Sequence, residues 1–198
     1  MTLPGTVMHW LFAFAAAGAV LFFFIGLPSY LERRPDRPLW VRGMHDLSLL
    51  LALAHAAGAF FLPPRSDNFA AAGIVMYTAT VALFLSTMDA ARGTRLQRAF
   101  IDHPLPDRLI TTGPYRWVRH PFYLGYIIGA LAPSIAIDNV WITLITAVMI
   151  AICLSAAVRE ERVWLSGPRA DAYREYQRRT GMFMPRMPRS AASIGPTG

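Results

Sequence analysis

The sequence has 198 residues, 55% of them hydrophobic, and a positive mean hydropathy, which excludes an ordinary soluble domain of this length. Its formal net charge of +7 comes from 19 basic residues, all arginine; they flank the apolar runs instead of forming one stripe, so nucleic-acid binding is a poor reading. The one cysteine, Cys153, lies inside an apolar run and argues against a disulfide framework or a zinc site.

A helix that crosses the hydrocarbon core needs about 20 apolar residues. Five runs reach or approach that length: Val7–Pro28, His45–Leu62, Phe69–Ala90, Pro121–Ile137 and Val140–Val158. The fourth is short, which suits a tilted, kinked or partly inserted segment. No basic residue precedes the first run, and Arg33, Arg34, Arg37 and Arg42 follow it. A signal peptide has a basic segment before its core, so Val7–Pro28 reads as a retained helix with its N-terminus outside. The loops after the second and fourth runs hold Arg65 alone. The positive-inside rule then places residues 29–44, 91–120 and 159–198 in the cytoplasm. The expected fold is an all-α integral membrane bundle of about five transmembrane helices, with the C-terminus cytoplasmic.

Between the third and fourth runs, "DAARGTRLQRAF" reads as a helix running out into water, and the two prolines of "IDHPLPDRLITTG" prevent it from continuing. After the fifth run, "GPRADAYREYQRRTG" reads as a short amphipathic helix, with a turn at Gly167–Pro168 before it and a stop at Gly181. The last residues are small and polar and read as a disordered tail. The organisation expected is residues 1–90 as N-terminal spans, 91–187 as the chemical core and 188–198 as tail. An arginine- and alanine-rich composition suits a bacterial inner membrane.

The candidate chemistry gathers at "TTGPYRWVRHPFYLG", residues 111–125. Pro121 suits the first turn of a helix, which puts His120 at or beside its N-cap. Free backbone N–H groups there favour an anion, and Arg116 and Arg119 lie just upstream. Pro121, Gly125, Gly129 and Pro133 recur every four residues along one face. That face suits tight packing against a neighbouring span or a cleft in which a ligand meets the backbone, widened by a kink at Pro133. Glu160 and Glu161 fall where the fifth span emerges, and the hairpin returns them to the level of His120. One carboxylate could grip a cation or ribose hydroxyls and the other pair with Arg119 or Arg162; solvated boundary charges are the alternative. His9, His45 and Asp46 lie near span boundaries. His55 is deeper, and reads as a neutral histidine paired to a neighbouring helix in preference to a functional site.

"GPYRWVRHPFYLG" (113–125), then after one hairpin "EE" (160–161), and the tail "YREYQRRTGMFMPR" resemble the isoprenylcysteine carboxyl methyltransferase family. Membrane phospholipid N-methyltransferases share its core pattern. The likeness covers roughly residues 90–187. It implies a helical membrane methyltransferase that takes S-adenosylmethionine from the cytosol and a lipid-like acceptor from the bilayer. The implied pocket lies between the ends of the fourth and fifth spans and the C-terminal segment. Carried over residue by residue, the cofactor contacts are Gly113, Tyr115, His120, Pro121, Tyr123, Gly125, Glu160 and Glu161, and the catalytic group is Arg119, Glu160 and Arg179. Arg178 or Arg179 would orient an acidic acceptor, or else form a solvated face of Arg–Glu pairs. No metal is implied. Methylation of a carboxylate or thiol is the leading expectation and phosphatidylethanolamine N-methylation the close alternative. A nicotinamide-dependent reductase related to the sterol reductases and a non-catalytic scaffold or sensor are more distant ones.

Overall fold

A computed structural model describes residues 4–23, 39–92 and 108–186. Among these described residues, six α-helices follow one another: α1 (Pro4–Leu21), α2 (Leu39–Phe61), α3 (Asp67–Ala90), α4 (Pro121–Ala136), α5 (Val140–Ser166) and α6 (Ala170–Arg179). A single 3-10 turn, Gly113–Arg116, precedes α4. Among the described residues the chain is all-helical apart from one isolated β-bridge. Arg33, Arg34 and Arg37, the end of the first apolar run, most of the linker with Arg95 and Arg98, and the expected tail 188–198 lie outside the described residues.

Among the described residues, three helical stretches are long and apolar enough to cross a membrane: Arg42–Phe61, Asp67–Ala90 and Val140–Ser166. The described part of α1 and the 16-residue α4 are shorter. At about 1.5 Å per residue, α4 extends roughly 24 Å, less than a bilayer core, as its short apolar run suggests. Leu50, Leu53, Phe61, Val75, Leu85, Leu144 and Val148 point outward, which suits lipid contact. The chain is an integral membrane helical bundle.

Two loops meet at one end. Arg65 donates its backbone N–H to the Ala136 carbonyl (2.8 Å) and pairs through its side chain with Asp138 (3.1 Å). The α2–α3 and α4–α5 connections therefore share one side. Asn139 starts α5 there, its Oδ1 accepting from the N–H groups of Trp141 and Ile142, an N-cap that satisfies two otherwise unpaired donors.

The small-residue face of α4 packs against α3. A Cβ added at Gly125 would lie 2.3 Å from the ring of Phe84, and one at Gly129 would meet Thr80 at 3.5 Å. Phe84 is fully buried, and its ring meets Phe22, Phe23, Phe122 and Tyr126. Inside lipid such a seam is held by van der Waals contact, because apolar tails are no worse a solvent for Phe than another helix is. The backbone cleft expected along this face is therefore filled by α3. Deeper in the bundle, His55 Nε2 lies 2.8 Å from Thr146 Oγ1, which donates to the Ala130 carbonyl at 2.9 Å. This bond links α2, α4 and α5 through buried polar groups, and His55 is paired to neighbouring helices as the sequence suggests.

Candidate functional site

At the end of the bundle opposite Arg65 and Asp138, the segment before α4 is bent by glycine. Gly113 has φ +58°, a left-handed conformation that costs a residue with Cβ. A Cβ there would also lie 2.6 Å from that of Ala90 at the end of α3. The bend seats the 3-10 turn on α3 and directs Tyr115 inward. The chain then extends and pairs in parallel with the C-terminal segment, Val118 opposite Gly181. Arg119 N–H donates to the Gly181 carbonyl (2.8 Å) and His120 N–H to the Met182 carbonyl (3.2 Å). His120 caps α4, with Pro121 in its first turn.

The α5 helix does not stop where its apolar run stops. It continues past Val158 to Ser166, carrying Glu160 and Glu161 to His120. Adjacent helical residues project about 100° apart, so the two carboxylates have different surroundings. Glu161 points inward, its side chain 10% exposed. Its Oε1 accepts from Arg119 Nε at 2.7 Å and lies 3.2 Å from His120 Nε2, and its Oε2 accepts from Gln177 Nε2 at 2.7 Å. Arg119 also donates to the Thr180 carbonyl. Glu160 stays 44% exposed, with His120 Nδ1 at 3.7 Å.

The α6 helix closes the site with one face. Tyr173, Tyr176 and Gln177, spaced i, i+3 and i+4, turn toward it together. Tyr173 stacks on Trp164 of α5, ring centroids 5.4 Å apart and planes 6° from parallel. The Tyr176 hydroxyl donates to the Tyr115 carbonyl (2.6 Å). Between these elements lies a small open cleft lined by Arg108–Ile110, Tyr115, Arg119, His120, Glu160, Trp164, Tyr173 and Tyr176. Burial pushes the Tyr115 phenol far above its ordinary range, with Glu160 and Tyr176 adding to the effect. Burial does the same for Tyr173 and Tyr176. These phenols stay neutral near pH 7, able to donate and accept hydrogen bonds.

Of the residues singled out in the sequence, Tyr115, Arg119, His120 and Glu160 line the cleft. Glu161 lies behind Arg119 and His120. Gly113 sets the bend, and Pro121 sits buried in the first turn of α4. Tyr123 lies away from the cleft, packed with Cys153, Ala156 and Ala157, its ring centroid 5.6 Å from that of His120. Gly125 faces Phe84 instead of the cleft. Arg179 is on the outer face of α6, paired with Glu175 at 2.7 Å, and Arg178 joins the same carboxylate; their solvated-face alternative is what the structure has. Sequence reasoning missed Trp164, Tyr173, Tyr176 and Gln177 as individual site residues. Their signal was the aromatic and amide stripe within "YREYQ" at helical spacing, continued from Trp164.

A family model described as phospholipid methyltransferase matches residues 69–167, from the start of α3 to the end of α5. A protein-S-isoprenylcysteine O-methyltransferase of Schizosaccharomyces pombe is 30% identical over 80 residues, 40% of this chain and 34% of the relative. The cobalt-zinc-cadmium resistance protein CzcN of Cupriavidus metallidurans is 33% identical over 79 residues, 40% of this chain and 36% of the relative. The nickel-cobalt-cadmium resistance protein NccN of Alcaligenes xylosoxydans xylosoxydans is 35% identical over 81 residues, 40% of this chain and 37% of the relative. The matched region thus spans little more than a third of each curated relative.

Proposed function

From the premise that this chain belongs to the phospholipid methyltransferase family, we propose that it is an S-adenosylmethionine-dependent methyltransferase acting on a lipid-like acceptor at the cytosolic face of the membrane. The observation that carries the reading is the convergence of His120 and Glu160 on one cleft walled by Tyr115, Tyr173 and Trp164. In this reading residues 91–187 form the methyltransferase core, residues 1–90 brace it, and the N-terminus lies outside.

The cleft has groups of the right chemistry for this cofactor. It holds a half-exposed carboxylate, Glu160, for an ammonium or ribose hydroxyls. It lies at the N-terminus of α4, where the positive end of the helix dipole suits a carboxylate, with Arg108 on its wall. Its aromatic walls suit a flat base and a cation. When bound, S-adenosylmethionine supplies an electrophilic methyl group. The chain's own contribution is placement: His120 and Glu160 fix the two polar ends of the cofactor, and Tyr115 and Tyr173 exclude water. In-line transfer depends on such alignment, which can lower a barrier by several kcal/mol. Glu161 holds Arg119 and His120 in place from behind. Arg179 has no role in this account.

The acceptor proposed is a carboxylate or thiol on an apolar carrier entering from the bilayer. An ionised carboxylate needs no base, whereas a thiol must give up its proton, which Glu160 or water could take. A second reading, N-methylation of a phosphatidylethanolamine head group, draws on the family's description and on Glu160, which could take the proton an amine must lose.

The test is calorimetric titration of the purified protein in detergent with S-adenosylhomocysteine. His120→Ala and Glu160→Gln should each weaken binding at least tenfold while helicity is unchanged. Near-normal affinity in both variants rejects the site. Radiolabelled S-adenosylmethionine with extracted lipids then separates the acceptors, because label in phosphatidylethanolamine derivatives supports the second reading.

A further inference from the structure

The two adjacent glutamates have unequal surroundings, and a neutral amide from another helix accounts for the difference. We infer that Gln177 is a positioning residue of this site: it anchors Glu161, so that Glu161 holds Arg119 and His120 while Glu160 faces the ligand. The inference rests on the cofactor reading above.

The geometry is specific. Glu161 has two oxygens and three donors. Arg119 and His120 meet Oε1, and Gln177 alone among the described residues meets Oε2. Only the NH₂ end of an amide can approach a carboxylate in this way, because its carbonyl end would be repelled. Take away that donor and Oε2 becomes a largely buried anionic oxygen without a partner, a costly state. The carboxylate then turns to recover a bond, and it can do so only by giving up its hold on Arg119 or His120. A lysine or arginine at position 177 would compete with Arg119 for the same charge. A neutral donor completes the shell without disturbing that pair.

Gln177 also joins α6 to the site at a second level. One residue before it, Tyr176 holds the carbonyl of Tyr115, a cleft residue. Three residues after it, the Thr180 carbonyl receives Arg119. The register of α6 is therefore set against the cleft by Tyr176, Gln177 and Thr180 together, and Gln177 joins the Tyr173 stack on Trp164 in reaching α5.

The experiment uses the full chain in detergent and titrates S-adenosylhomocysteine into wild type, Gln177→Leu and Gln177→Glu. The bond to Glu161 is made with and without ligand, so its loss acts on affinity only through the displaced His120 and Arg119. Gln177→Leu should therefore bind about tenfold more weakly at pH 8, with unchanged circular dichroism and a modest fall in melting temperature in the absence of ligand. Gln177→Glu should bind more weakly still at pH 8, because two carboxylates then face each other. On acidification to pH 5.5, the new carboxyl takes a proton, which the neighbouring anion favours. It can then donate to Glu161 as the amide did, so affinity should climb back toward wild type. Glu161, Arg119, His120, Glu160 and Arg186 face this centre in all three proteins, and Gln177→Leu lacks the new carboxyl, so recovery in acid should appear in Gln177→Glu and not in Gln177→Leu. A merely structural defect would not recover in acid. Wild-type affinity in both variants at pH 8, or a Gln177→Glu loss that acid leaves untouched, overturns the inference. Absence of binding by the wild type itself overturns the cofactor reading instead, and this inference with it.

Discussion

Glu161→Ala is the perturbation with the largest expected structural cost. The Arg119 and Glu161 side chains are 8% and 10% exposed, so neither charge is well served by water. Removing the carboxylate strands the Arg119 guanidinium with the Thr180 carbonyl as its remaining partner, and frees the donors of His120 and Gln177. Three bonds to a charged group, each about 1.5–3 kcal/mol, would sum to more than the protein can lose independently. They share one carboxylate, and water can enter the gap, so the sum is an upper bound. Breaking a buried ion pair from one side typically costs about 3–5 kcal/mol, and that is the loss expected for the local unit of α5, α6 and the residue 118–120 segment. Replacing both partners, as in Arg119→Met with Glu161→Leu, should cost less than Glu161→Ala alone, because no charge is left unpaired. The assay is denaturant unfolding in micelles, followed by the fluorescence of Trp164. A loss under about 1 kcal/mol for Glu161→Ala, or a double variant worse than the single, would refute the buried network.

Other consequences follow from the same contacts. Gly125→Leu drives a side chain into Phe84 and should destabilise the α3–α4 seam by about 1–3 kcal/mol, as overpacking does; thermal unfolding in detergent reads it. Arg179→Ala should leave S-adenosylhomocysteine affinity and melting as they are, since its partner Glu175 retains Arg178; a large loss of affinity would return Arg179 to the site. The phenols of Tyr115, Tyr173 and Tyr176 are all raised above their ordinary value of 10.0. The folded state thus holds these protons more tightly than the unfolded one. The stability linked to them is complete below pH 10 and is lost as pH rises beyond it, so α6 should detach in alkali before the apolar helices unfold. Amide exchange of residues 170–179 at pH 8 and pH 11 measures this, and equal protection at both would contradict it.

The helical bundle was legible because apolar run length is a direct physical requirement of the bilayer, and the small face of α4 announced close packing. What the run length could not reveal is where a helix ends in water. Counting stopped at Val158, yet the backbone of α5 stays helical through Arg159–Arg162 to Ser166, because charged residues interrupt hydropathy and not hydrogen bonding. The start of α2 at Leu39, before His45, has the same cause. The return of Glu160 and Glu161 to the level of His120 was legible from hairpin length, and a pairing of one of them with Arg119 was among the alternatives. Which carboxylate turns inward was not, because that depends on the helix rotation set by Arg119 and Gln177. Tyr123 and Gly125 share the motif of His120, but successive helical positions diverge by about 100°, so membership in a motif did not imply access to the cleft. Gln177 carried no signal beyond its place in the "YREYQ" stripe: a neutral amide among arginines is ordinary on a solvated helix face.

The central claim is that the groups meeting at the end of α4 and α5 hold the methyl donor. Its most direct test is a structure of the protein with S-adenosylhomocysteine bound. The account predicts the ligand between His120 and Glu160, against Tyr115 and Tyr173, with Glu161 still paired to Arg119 and Gln177. Ligand placed elsewhere in the bundle, or a Glu161 that has left Arg119 to contact it while Glu160 faces solvent, would contradict the account.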